Sequence, residues 1–177
     1  YNEVFRGKNR KRKKGRLKKL PRNAHVDLVK EIQDKLPAVF FVFSRKECET
    51  KAKELIIKFD FANAKQKKEI IQIFNKKITE DIKNLRSVRQ LKSIVTKGIA
   101  YHHAGLLPVL KDIVEELFSK NLLKVLYSTE TFAVGVNYPA KTVCFNSLEK
   151  FDGISFRYLN SKEYFQLAGR AGRRGID

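Results

Sequence analysis

The chain of 177 residues contains no tryptophan and no methionine, and it has only two cysteines and four prolines. Cys48 and Cys144 are too widely separated to indicate a disulfide framework or a zinc site, so we expect a reducing, intracellular compartment. No apolar run approaches the roughly 18 residues that a membrane-spanning helix needs, so no membrane partner is expected. The chain also lacks an initiator methionine and a signal peptide and ends abruptly at Asp177, which suggests a piece of a longer protein.

Acidic residues are also scarce, and the charge that remains is strongly basic. Lysine and arginine number 38 against 19 aspartate and glutamate, a formal net charge of +19. This imbalance indicates a polyanionic partner such as nucleic acid. Residues 1–20 hold ten of the basic residues and one acid. This basic arm fits a localisation signal, a nucleic-acid-binding arm or a solvated linker, whereas residues 21–177 have the patterning of a globular domain.

Strand-like and helix-like segments alternate from Pro21 onward. The run at 38–43 is β-branched and aromatic throughout, as in strands buried on both faces of a parallel sheet. We therefore predict an α/β fold with an open, mainly parallel sheet flanked by helices. The other predicted elements are strands at 98–102, 123–127 and 142–145, helices at 45–59 and 108–120, an inserted helical pair at 65–95, a hairpin with Asp152-Gly153 as its turn, and a last helix with Ser161 as N-cap.

Polar segments follow three of these strands, and ligands of open α/β sheets bind where the strands end. Hydroxyls and glycine in the segment 128–140 can donate to phosphates, although Thr129 or Thr131 could simply cap a turn. Residues 44–46 offer further donors, or form a solvated helix start. Adjacent His102 and His103 point to opposite faces of a strand and lack other ligands at metal spacing, so hydrogen bonding or nucleic-acid contact is favoured over metal binding.

The segment from Gln166 to Gly175 contains three glycines and three arginines in ten residues. Glycine permits close backbone approach, and guanidinium groups match phosphate oxygens. On a helix, Arg170 and Arg173 would project from one face, an arrangement suited to stabilising charge on a transferring phosphoryl group. The alternative is a basic helix end with Gly175 as its C-cap. No GxxxxGK[ST] loop is present, so this chain cannot cradle a nucleoside triphosphate by that route.

Taken in order, four segments resemble the motifs of the second RecA-like domain of superfamily 2 helicases, most closely the DExH-type, Ski-like RNA helicases. The segments are 41–49, 101–106, 128–140 and 166–175, and the resemblance runs from about Pro37 to Asp177. It implies an ATP-dependent RNA helicase and a RecA-like fold in which ATP and Mg²⁺ bind between two lobes. The Mg²⁺ ligands would belong to the other, N-terminal RecA-like lobe, so this piece would be inactive alone.

The resemblance also implies roles for individual residues. Arg170 and Arg173 would be arginine fingers, with Gln166 positioning the phosphates or the attacking water. Gly135, Asn137 and Gly169 would face the nucleotide. The RNA-binding residues would be Ser44, Arg45, His103, Gly105, Thr129 and Thr131.

The stretch 147–160 is similar to the hairpin with which this family separates an incoming duplex. RNA, single-stranded or as a 3′-tailed duplex, and an exosome-like nuclease complex are the implied partners, with 3′–5′ unwinding in RNA processing or decay. The residues alone leave two alternatives open. One is a DNA helicase of the same superfamily, because phosphate contacts do not read the sugar. The other is a catalytically inert RNA-binding scaffold.

Overall fold

The computed structural model describes residues 21, 23–133 and 140–169. The basic arm, residues 134–139 and residues 170–177 lie outside this range. Four of the residues with implied nucleotide roles are therefore outside the described part of the chain, namely Gly135, Asn137, Arg170 and Arg173.

A four-stranded parallel sheet forms the centre of the fold, in the order β2-β3-β1-β4. Its strands are β1 (Ala38–Phe41), β2 (Ile99–His102), β3 (Val125–Ser128) and β4 (Thr142–Phe145). The first three are buried along their whole length, as expected of near-continuous apolar strands, whereas β4 is half-buried. The predicted α/β fold with an open parallel sheet is confirmed.

Helices pack against this sheet and supply the crossovers from β1 to β2 and from β2 to β3. The helices are α1 (Ala24–Glu31), α2 (Arg45–Leu55), α3 (Ala64–Lys77), α4 (Arg86–Val95), α5 (Pro108–Ser119) and α6 (Ser161–Ala168). The Ser44 hydroxyl caps α2 by accepting from the Glu47 N–H at 3.4 Å. The predicted N-cap of α6 is wrong by one residue, because Asn160 caps the helix and exchanges hydrogen bonds with Glu163 in a capping box. Within the described residues, no helix is both long and apolar enough to cross a membrane.

The helical pair predicted at 65–95 is present as α3 and α4, and we call residues 62–96 the helical insert. Its two ends meet at the amino end of β2, where the Phe61 N–H donates to the Lys97 carbonyl at 2.9 Å. Ile70 and Phe74 turn inward, and most other side chains of α3 are exposed or half-exposed. The insert is therefore a polar-surfaced extension of the main core.

A separate two-stranded antiparallel sheet pairs β5 (Glu149–Phe151) with β6 (Phe156–Tyr158). The hairpin is confirmed, but its connection is a four-residue loop rather than a two-residue Asp-Gly turn. The Asp152 carboxylate accepts from the N–H groups of Ile154 and Ser155, both at 2.9 Å. Gly153 has φ +103°, which favours glycine at this position of the loop.

Candidate nucleic-acid interface

All six predicted RNA-binding residues follow the carboxyl ends of β1, β2 and β3, which are neighbours in the sheet. Strand alignment places the ends at one level, because Ser128 pairs with both Phe41 and His102. We call this end of the sheet the carboxyl end. The residues gathered there are Ser44 and Arg45 after β1, His103 and Gly105 after β2, and Thr129 and Thr131 after β3.

The loop after β2 is held by its own histidine. His103 is 4% exposed, and its Nδ1 accepts a hydrogen bond from the Gly105 N–H at 3.1 Å. Its Nε2 lies 3.2 Å from Glu49 Oε1 on α2, so Nε2 is the donating nitrogen. A Cβ on Gly105 would lie 3.2 Å from His103 Nδ1 and 3.4 Å from Arg45 Nη1, so glycine lets the imidazole and the exposed guanidinium rest against the loop. His103 therefore orients the surface, while Arg45 and the Gly105 backbone are exposed on it.

Burial lowers the pKa of His103 despite the nearby Glu49 carboxylate, and Arg45 lowers it further. The ring is therefore neutral at pH 7, in agreement with one accepting and one donating nitrogen. The positive charge at this place comes from the guanidinium and not from the imidazole.

Glu49 connects the loop after β2 with the helical insert. Gln90 on α4 donates from Nε2 to Glu49 Oε2 at 3.0 Å and to the Tyr101 hydroxyl at 2.9 Å. Tyr101 in turn stacks on His103, with ring centroids 5.7 Å apart. Sequence reasoning gave no role to Glu49 or Gln90, and their 41-residue separation leaves no local signal by which to find the contact.

The ends of β2 and β3 are joined to each other by hydrogen bonds. The buried Ser128 hydroxyl contacts the His102 carbonyl at 3.1 Å and the Thr129 carbonyl at 2.9 Å, and the Thr129 N–H donates to the His102 carbonyl at 3.2 Å. His102 points to the other face, where its Nε2 lies 3.0 Å from Glu115 Oε1. Within the described residues, no group of three or more His, Cys, Asp or Glu could hold a metal ion.

The hydroxyls of Thr129 and Thr131 follow the carboxyl end of β3. Thr129 Oγ1 lies 3.1 Å from Thr131 Oγ1, and Thr131 is exposed on the short 3₁₀ helix Glu130–Ala133. The Phe132 N–H donates to the Thr129 carbonyl at 3.3 Å and closes the turn. The pair can present hydroxyl donors to a phosphate oxygen while serving the turn, so the two uses considered for these threonines are compatible.

Gln166 lies on α6, and Gly169 directly follows that helix, which packs against the 3₁₀ helix that carries Thr131. Gln166 is exposed, and Gly169 is the C-cap of the helix, whereas Gly175, the alternative C-cap, lies outside the described residues. A Cβ on Gly169 would come within 2.8 Å of the Phe165 carbonyl oxygen, which explains glycine there. The shared face expected for Arg170 and Arg173 falls outside the described residues and stays a prediction.

An ion-pair network joins the hairpin to both neighbouring segments. Lys150 on β5 lies 2.7 Å from Glu130 and 2.8 Å from Glu163 on α6, and its side chain is 11% exposed. Arg157 on β6 makes a two-pronged contact with Glu163, at 2.7 and 2.8 Å. Arg157 and Lys150 together hold the pKa of Glu163 far below its usual value. The hairpin, the 3₁₀ helix Glu130–Ala133 and α6 are thus joined by one set of ion pairs. We call Lys150, Arg157, Glu130 and Glu163 the Lys150 network.

Comparison of the sequence with known proteins identifies its family. The profile described as Helicase conserved C-terminal domain matches residues 50–175. The chain is 45% identical over 144 residues to Exosome RNA helicase MTR4 of Homo sapiens, covering 80% of this chain and 14% of that protein. It is 46% identical over 145 residues to Antiviral helicase SKI2 of Saccharomyces cerevisiae, covering 80% and 11%. For DExH-box ATP-dependent RNA helicase DExH10 of Arabidopsis thaliana, the identity is 46% over 144 residues, covering 80% and 14%.

The chain therefore spans 11–14% of the length of these relatives. The family match covers most of the chain, including α3 to α6 and the carboxyl ends of β2 and β3. On this match, the chain belongs to the family of helicase conserved C-terminal domains, and it is similar to the DExH-box RNA helicases.

Proposed function

We propose that residues 21–177 form the second RecA-like lobe of an ATP-dependent RNA helicase. The observation that carries the proposal is the collection of hydroxyl and guanidinium donors at the carboxyl end of three adjacent buried strands. Such donors bind phosphates without reading the bases, as a protein moving along a strand requires. The names of the three relatives, all helicases and two of them RNA helicases, support RNA as the nucleic acid.

The second part of the proposal concerns ATP, which would bind between this lobe and the N-terminal RecA-like lobe of the same protein. Arg170 and Arg173 act as arginine fingers, because guanidinium groups stabilise the charge of a transferring phosphoryl group. Gln166 positions the phosphates or the attacking water. Gly135, Asn137 and Gly169 face the nucleotide, and the Mg²⁺ ligands belong to the other lobe. This chain alone therefore has no ATP turnover.

The hairpin gives the lobe a means of acting on a duplex. Phe151, Ile154 and Phe156 expose 54%, 91% and 75% of their surface, so apolar side chains are available to stack on separating bases. The proposed activity is 3′–5′ unwinding of single-stranded or 3′-tailed RNA in RNA processing or decay. The name of the MTR4 relative favours an exosome-like nuclease complex as partner.

The test is RNA-stimulated ATP hydrolysis by the intact protein that carries this chain, with Arg173→Ala as the variant and single-stranded DNA as a competing activator. We expect turnover that requires RNA and falls on the order of 10³-fold in the variant, with RNA affinity nearly unchanged, because a finger acts mainly in the transition state. Lys162→Ala, at an exposed lysine of α6, is the control.

The other outcomes point to the two alternatives. Stimulation by DNA equal to that by RNA would identify a DNA helicase or a motor indifferent to the sugar. Turnover that is absent, or unaffected by Arg173→Ala, would mean that the lobe is a binding scaffold.

A further inference from the structure

Helices α2 and α4 both pack on β2 and point in the same direction. Each runs back from the carboxyl end of the sheet towards its amino end, because α2 follows β1 and α4 precedes β2. The hydrogen bond from Gln90 Nε2 to Glu49 Oε2, at 3.0 Å, fixes their relative position. These two residues therefore mark one level on two parallel helices.

One turn towards the amino terminus of each helix lies an arginine. Arg45 precedes Glu49 by four residues, and Arg86 precedes Gln90 by four residues, so both are displaced along their helices by about 6 Å in the same direction. This helix geometry brings Arg86 to the level of Arg45, towards the carboxyl end of the sheet. Arg89 is three residues after Arg86 and shares its side of α4.

All three arginines are exposed, and within the described part of the chain no carboxylate forms an ion pair with any of them. Glu49, one turn after Arg45 on α2, already contacts His103 and Gln90. Guanidinium groups that gather without an acidic partner repel one another, and an intervening phosphate removes that repulsion and accepts their paired donors.

We propose that Arg86 and Arg89 extend the phosphate-binding surface from Arg45 onto the helical insert, with the backbone of single-stranded RNA as the ligand. This inference rests on the proposed function and adds to it a stretch of surface contributed by α4. RNA leaving the donors after β2 and β3 would pass Arg45 and then run along the first turn of α4.

The experiment measures the affinity of the full chain for a single-stranded oligouridine by fluorescence anisotropy between 50 and 200 mM salt. The variants are Arg86→Gln with Arg89→Gln, and Arg86→Lys with Arg89→Lys. The matched control is Lys65→Gln with Lys68→Gln, which removes the same charge from exposed positions at the start of α3, near the amino end of the sheet.

The slope of the logarithm of the RNA association constant against the logarithm of salt concentration is negative. Loss of two phosphate contacts in the glutamine pair makes it shallower by about 1.4, since each contact on a single strand contributes about 0.7. The lysine pair keeps the slope, which a merely structural role of the arginines would not predict. A glutamine pair with the wild-type slope, or a loss no greater than that of the α3 control, overturns the inference. Absence of salt-dependent RNA binding by the wild-type chain would instead overturn the proposed function itself.

Discussion

A buried histidine on the first helix is held by one hydroxyl and one carboxylate. His25 Nδ1 lies 2.7 Å from the hydroxyl of Tyr127, in the centre of the sheet, and its Nε2 lies 3.1 Å from Glu54. Burial raises the pKa of Tyr127, so the hydroxyl keeps its proton and donates a hydrogen bond to Nδ1. The contact joins α1 to the core, and both side chains are buried.

Removal of this hydroxyl by Tyr127→Phe is expected to reduce the free energy of unfolding by about 1–3 kcal/mol, because it leaves a buried acceptor unpaired. Urea denaturation followed by circular dichroism measures the change. Tyr158→Phe, at a tyrosine 59% exposed, is the control and should stay within about 0.5 kcal/mol of the parent chain. Equal effects of both substitutions would contradict the role given to the Tyr127 hydroxyl.

At the scale of elements, the hairpin has little to stabilise it except its attachment. An isolated pair of three-residue strands is marginal in water, and the side chains of Phe151 and Phe156 pack mainly on each other. The Lys150 network supplies this attachment by joining β5 and β6 to α6, the helix that carries Gln166.

Substitution of Lys150 by methionine keeps the length of the side chain and removes both of its ion pairs. We expect the amides of residues 149–158 to exchange hydrogen about fivefold faster or more, while the four-stranded sheet keeps its protection. Hydrogen exchange read by mass spectrometry provides the measurement, with Lys162→Met, at an exposed lysine of α6, as the control. Unchanged exchange in the hairpin would show that the network does not hold it.

The elements also show what could be read from sequence and what could not. The strands were predictable because short, continuous apolar runs rich in β-branched and aromatic residues are typical of strands buried in a parallel sheet. The N-cap of α6 was misread although a signal existed, since Asn160 and Glu163 have the three-residue spacing of a capping box and Ser161 does not. The Glu49–Gln90 contact left no such signal, because it joins elements that only the folded sheet brings together.

For the molecule as a whole, the three histidines of the chain behave alike. His25, His102 and His103 are all buried, and burial lowers the pKa of each below the ordinary value of 6.5. The unfolded chain therefore binds more protons than the folded chain between these lowered values and 6.5. The contribution of these neutral histidines to the free energy of unfolding is fully present above pH 6.5 and is lost as the pH falls through their folded pKa values.

The melting temperature should accordingly decrease as the pH is lowered from 7.5 to 5.5, a range above that in which ordinary carboxylates titrate. Differential scanning calorimetry at constant ionic strength follows it, and His25→Asn should reduce the dependence on pH. A melting temperature that stays constant or increases over this interval would contradict neutral, desolvated imidazoles in the folded chain.

The hydrogen bond between Phe61 and Lys97 has a consequence for how such a chain could evolve. The helical insert leaves the amino end of β2 and returns to it, so its two ends meet whatever lies between them. Lengthening a segment whose ends already meet adds little to the entropic cost of closing the loop, about 0.6 kcal/mol for each doubling of a flexible loop. A lineage could therefore enlarge, trim or exchange this pair of helices without altering the register of any strand. The far turn of the pair reaches the carboxyl end, so each such change would bring new side chains to the nucleic-acid surface while the sheet stayed the same.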